Sequence, residues 1–174
     1  MSNTLVIHPD STTNYFKLIY EDKDYDVIDN YDISNLDLLK AIEKHDKIII
    51  IGHGNGLGLF NLKYGGLMIN DSHANFLKLK EVISIWPSSN NFFRRHNIKG
   101  LHTGELILSP LEEFNVLGYM PLDSNEFFDN MERLAIIFSE CIESSPEWIK
   151  KYVINNYNDE DEVSEINRES IIVI

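Results

Sequence analysis

The stretch Lys47–Phe60, K-I-I-I-I-G-H-G-N-G-L-G-L-F, decides the fold. Four consecutive isoleucines end at Gly52. β-Branched side chains suit a pleated backbone, and a run with no polar alternation predicts a strand, Lys47–Ile51, buried on both faces. His53 follows at once among Gly52, Gly54, Gly56 and Gly58. A histidine just past the C-terminal end of a central strand stands where open α/β sheets place their ligands. Glycines there let the backbone bend and let another group approach closely. The segment therefore marks a candidate site.

Outward from this strand, strand and helix patterns alternate. Thr4–His8 predicts a first strand stopped by Pro9. Asp10 or Ser11 can cap a helix to Tyr20 with Tyr15, Phe16, Ile19 and Tyr20 on its inner side. Tyr25–Ile28 reads as a second strand. Ser34, with Asp37 three residues on, caps a helix that carries Leu36, Leu39, Ala41 and Ile42 on one face and ends near His45. Beyond the central strand, Gly65-Gly66 between apolar residues predicts an inserted β-hairpin within Leu59–Ile69. Ser72–Lys80 reads as a helix, and Val82–Trp86 as a buried strand closed by Pro87. Ser88 or Ser89 caps a helix through His96. Leu101–Leu108 reads as a strand containing Gly104, Pro110–Phe114 as a helical turn and Val116–Tyr119 as a last short strand.

From Asp123 onward the pattern is helical. Asp123 and Glu126 have capping-box spacing, and Phe127, Met131, Leu134, Phe138 and Cys141 recur at helical intervals, which packs Cys141 into the core. Ser144-Ser145-Pro146 starts another helix, with Trp148, Ile149, Tyr152 and Val153 on its buried side, and Glu162–Glu169 reads as a short helix. The whole predicts one α/β domain over residues 1–174: a three-layer, mostly parallel sheet flanked by helices, with a β-hairpin insertion and a helical C-terminal third.

Composition narrows the function classes. The 174 residues carry 15 Lys+Arg against 28 Asp+Glu, a formal net charge of −13. Such a surface repels nucleic acid and anionic lipid, so neither is an expected partner. Arg94-Arg95-His96, with Lys99, reads as a solvated helix face. The acidic run Asn158–Glu162 lacks the spacing of a calcium loop and reads as a loop or helix start. No apolar run approaches the roughly 20 residues of a membrane span. The opening Met1–Thr4 lacks the basic residues of a signal peptide. The lone cysteine excludes an internal disulfide, and a reducing, cytoplasmic setting is expected.

A parallel sheet would bring four strand-end segments to one edge. They contain Asp10, Ser11 and Thr12; His53, Gly54 and Asn55; Pro87, Ser88, Ser89 and Asn90; and His102, Thr103 and Gly104. I-I-I-I-G-H-G-N, followed one βα unit later by V-I-S-I-W-P-S-S-N, resembles the caspase-like cysteine peptidases over about Lys47–Asn90. It also resembles small uncharacterised bacterial proteins of that layout, in which the second strand reads like I-W-C-N and a Lys-Gly strand follows a helix; Phe92–Gly100 fits that continuation. The resemblance implies that His53 is the base and that Gly54 supplies an oxyanion N–H. It also implies a nucleophilic cysteine where Pro87 stands. Proline carries no nucleophile, so thiolate chemistry is not expected.

A catalytically inactive caspase-like domain is therefore expected. It would bind a peptide or small ligand at the strand-end cleft through Asp10, Ser11, Thr12, Gly54, Asn55, Pro87, Asn90, Thr103 and Gly104. One alternative is a hydrolase using His53 as general base with Ser88, Ser89 or water. Another is a protein-interaction or homo-oligomeric module, without ligand, built on the helical C-terminal third. No cofactor is expected, because the glycine series lacks the P-loop lysine and the G-x-G-x-x-G spacing. No metal is expected either: His8, His53, His73 and His102, with Asp10, lack the helical i,i+4 pair of a zincin. Asp10 reads chiefly as a helix cap, and Asn90, Asn91, Glu105, Glu112 and Glu113 as surface or capping residues.

Overall fold

The computed structural model describes residues 3–120, 122–158 and 160–174. In chain order, β1 (Thr4–Ile7) leads through a 3-10 helix (Ser11–Ile19) to β2 (Asp26–Ile28), α1 (Asn35–Lys44) and β3 (Lys47–Ile51). A small antiparallel sheet follows: β4 (Gly54–Asn55), β5 (Gly58–Phe60) and β6 (Leu67–Ile69). A 3-10 turn (Asp71–His73) enters α2 (Ala74–Leu77), and then come β7 (Glu81–Ile85), α3 (Ser89–His96) and β8 (Gly100–Thr103). The remainder is α4 (Pro110–Leu117), α5 (Ser124–Cys141), α6 (Pro146–Asn156), α7 (Glu162–Glu169) and β9 (Ile171–Val173).

The main sheet has the order β2-β1-β3-β7-β8-β9. All its pairings are parallel except β8 with β9. Ile7 lies opposite Ile50, and Ile51 opposite Ile85. Successive side chains of a strand point to opposite faces. Ile49 and Ile51 accordingly join Val6, Ile83 and Ile85 under the 3-10 helix, α5 and α6, whereas Ile48 and Ile50 join Leu5, Ile7 and Val82 under α1, α2 and α3. All four isoleucines are fully buried. Each such burial stabilises the fold by about 1.5–3 kcal/mol, so a run apolar on both faces is satisfied only between two helical layers.

Several expectations need correction. Leu101–Leu108 leaves the sheet at Thr103, and Leu106–Leu108 is buried as irregular chain. Val116–Tyr119 is no strand: α4 runs to Leu117 and closes on Gly118 in the left-handed conformation (φ 79°). The last strand is β9, within the C-terminal third expected to be all helical. Ser72–Lys80 is two short turns of helix ending at Leu77. Leu36 and Trp148 are exposed, and Leu38 takes the inner position on α1. Within the acidic run, Asp161 caps α7 through Ser164 N–H (2.8 Å), and Asp159 lies outside the described residues. Among the described residues no helix is long and apolar enough to cross a membrane.

Candidate functional site

Because β1, β3, β7 and β8 run parallel, their C-terminal ends share one edge. Asp10 follows β1 and serves two elements. Its Oδ1 accepts from the Thr12 N–H (3.0 Å) and hydroxyl (2.6 Å), which starts the 3-10 helix. Its Oδ2 accepts from the His53 N–H (3.0 Å) and from the His53 Nδ1 (2.6 Å), just beyond β3. Burial opposes ionisation of this carboxyl, but the bonds from His53 and Thr12 outweigh it and hold Asp10 well below the usual carboxylate range.

The Asp10 bond fixes a proton on His53 Nδ1 and turns Nε2 outward. There it faces Glu112 Oε1 at 3.6 Å, an ion-pair rather than a hydrogen-bond distance. The other oxygen of Glu112 accepts from Leu108 N–H (2.7 Å). Burial pulls the imidazole toward lower pKa, but the Asp10 bond and the charges of Glu112 and Asp10 overcome it, so His53 titrates above an ordinary histidine. Burial likewise raises Glu112, partly offset by the facing His53.

A carboxylate-oriented imidazole can pass protons only to a group that reaches its free nitrogen. The strand-end serines do not supply one. Ser89 is fully buried: its hydroxyl donates to Thr103 C=O (3.0 Å) and accepts from Thr103 N–H (2.8 Å) and Ser84 Oγ (2.9 Å). Thr103 is buried in the same knot and donates to Trp86 C=O (2.6 Å), so neither lines a cleft. Ser88 is half-buried in the left-handed conformation (φ 61°, ψ 23°). It occupies the N-cap position of α3 without the expected side-chain cap, and its N–H donates to Gly104 C=O (2.6 Å). Pro87 is half-buried beside it. Asn90 is half-buried with its amide oxygen unpartnered. Gly104 ties this edge to Ser170 C=O (2.8 Å), next to β9.

Gly54 has a packing reason to be glycine. A Cβ there would lie 2.5 Å from Trp86 Cδ1 and 2.6 Å from Gly58 O. The indole in turn donates to Asn55 C=O (3.1 Å). Ser11 and Thr12 are exposed. Thr12 borders a depression of about 490 Å³ that continues along Tyr15, Lys17, Leu18 and Phe128. A second of about 490 Å³, lined by Leu57, Leu67, Asn70, Asp71 and Arg95, shares no residue with the dyad.

His8, His73 and His102, the other histidines considered as metal ligands, are buried, and the Nε2 atoms of His73 and His102 have no partner. His8 bonds Tyr20 OH and Thr13 Oγ1 (both 2.9 Å), and burial pushes it down to about 4. His102 stacks on Phe93 at 4.1 Å and is pushed down to about 3 by burial. His73 completes the cap of its own 3-10 turn. Among the described residues no three His, Cys, Asp or Glu side chains converge as a metal-binding set. Cys141 is buried, pushed up to about 12 by burial, and its thiol faces Ile137 C=O (3.2 Å).

The edge thus unites Asp10, Thr12 and His53 with Glu112, which sequence reasoning read as a surface or capping residue. The signal for Glu112 was the S-P-x-E spacing of Ser109–Glu112: it puts a carboxylate in the first turn of a helix entered from the β8 end of the sheet. No protein-family model matches the chain, and no curated protein matches it.

Proposed function

We propose that the chain is a ligand-binding domain of caspase-like layout without covalent catalysis. It takes a peptide or small ligand along the groove beside Thr12 and meets it at His53. One observation carries this: the dyad histidine has a carboxylate, not a nucleophile, opposite its free nitrogen. Asp10 keeps the proton on Nδ1, so Nε2 accepts from a ligand donor when the ring is neutral and donates only as the imidazolium. A ligand hydroxyl suits either form, and a peptide N–H the neutral one. The acidic surface supports a ligand other than nucleic acid.

Titrating isotope-labelled protein with a mixture of unstructured hexapeptides tests this by amide NMR. Shifts centred on Thr12, His53 and Gly54 are expected. Saturating shifts confined to other faces, or none at millimolar peptide, would defeat it. A second reading, a serine hydrolase, has one supporting observation: Ser88 sits in a left-handed conformation at a strand-to-helix turn, as nucleophilic serines can. Its hydroxyl makes no hydrogen bond with the His53 ring, so the base and the nucleophile are not joined.

A further inference from the structure

Helix α4 is inside out. A surface helix normally docks by its apolar stripe and turns its acids to water. Here Glu113 is the one fully buried residue of α4 and Glu112 is half-buried, whereas Leu111 (69% exposed), Phe114 (51%) and Val116 (46%) face outward. Leu117 alone packs from α4 against the small core of Ile107 and Phe127. An eight-residue helix is not stable by itself, so other contacts must hold it. Apart from Leu117, those contacts are polar. Ser109 caps it (3.2 Å to Glu112 N–H), Glu112 faces His53, and Glu113 Oε1 accepts from Leu122 N–H (3.2 Å). The other oxygen of Glu113 is buried without a partner.

We propose that α4 is a proton-controlled flap over the strand-end site, clamped while the His53 imidazolium faces Glu112 and released when His53 loses its proton. This rests on reading His53 as the ligand-contacting group, and it adds the control of access to it. The titratable groups acting on the contact are Asp10 from the turn after β1, Tyr15 from the 3-10 helix and Glu112 from α4; His8 and Tyr31 act on Asp10, and Asp161 acts on Glu113. Once His53 is neutral, Glu112 is a half-buried carboxylate without a counter-charge, and such a group is expelled toward water. His53 is raised in the closed form, so that form binds more protons than the open one and loses population as pH rises through the His53 titration. A ligand that bonds His53 Nε2 competes with Glu112 for the same nitrogen and so favours the open form.

Amide hydrogen exchange of the full chain tests the flap, corrected for intrinsic exchange rates, from about pH 6 to about pH 9. Protection over Leu111–Leu117 is expected to be lost as pH rises, with a midpoint at the His53 titration measured by NMR. Protection of α5 should stay constant and reports that the protein remains folded. E112Q and H53Q should both show low α4 protection at every pH, whereas E113Q should keep the step. A flat wild-type profile, or a step that survives in E112Q, overturns the flap. The hexapeptide titration, run at about pH 9 with the flap open as well as at about pH 6, reads Thr12 and His53 directly and decides the ligand-binding reading separately.

Discussion

Asp10→Asn is expected to lower stability by about 2–4 kcal/mol and to bring the His53 titration down. The reason is donor bookkeeping. The buried carboxylate accepts four hydrogen bonds, two on each oxygen. An asparagine has one acceptor oxygen and one NH₂, so on one side a donor must face the Thr12 or the His53 donors. Urea unfolding and histidine NMR measure the two effects. The pH dependence has a definite sign. The folded-state pKa of Asp10 is depressed, so its contribution is present above the unfolded value near 4 and is lost as pH falls toward the folded one. Wild-type stability should therefore decline below about pH 4 with a component missing from D10N. A D10N variant within about 0.5 kcal/mol of wild type would show that the carboxylate network contributes nothing.

Gly54→Ala is expected to cost about 3 kcal/mol or more and to lower the melting temperature by about 6–12 °C. The new methyl would meet the Trp86 ring and the Gly58 carbonyl at distances that real Cβ atoms do not reach. The ring cannot yield easily: Trp86 is fully buried against Phe92 and Phe93. Gly65→Ala provides the contrast. Its φ is +76°, but nothing lies within 4 Å, so only backbone strain of about 1 kcal/mol applies. Equal melting temperatures for G54A and wild type would return this glycine to a purely chemical explanation.

How much could be read in advance follows from the range of each interaction. The isoleucine run, the Gly65-Gly66 hairpin and the Asp123 capping box are local signals, and the structure contains all three. Val116–Tyr119 misled because its apolar composition suits a strand, while Ser109, Pro110 and Gly118 already marked both ends of a helix. The strand β9 is three residues with no turn signal before it, and only pairing with β8 makes it a strand. In the site, the cap role of Asp10 was legible from its neighbours. Its bond to a histidine 43 positions away was not, beyond topology placing both at one edge. Glu112 was missed because a glutamate in a first helical turn suggests capping, which it also does through Leu108. Thr103 and Ser89 looked like edge residues. Their hydroxyls are instead spent on each other and on Trp86, because polar groups buried between β7 and β8 must pair.

The central claim is that His53 is an oriented histidine without a nucleophile. Its most direct test is to incubate the purified chain with fluorogenic peptides and with a serine-reactive fluorophosphonate, followed by intact-mass analysis. No peptide turnover and no adduct are expected, in the wild type and in H53A alike. Turnover, or an adduct on Ser88, that disappears in H53A would contradict the claim and make the chain a hydrolase.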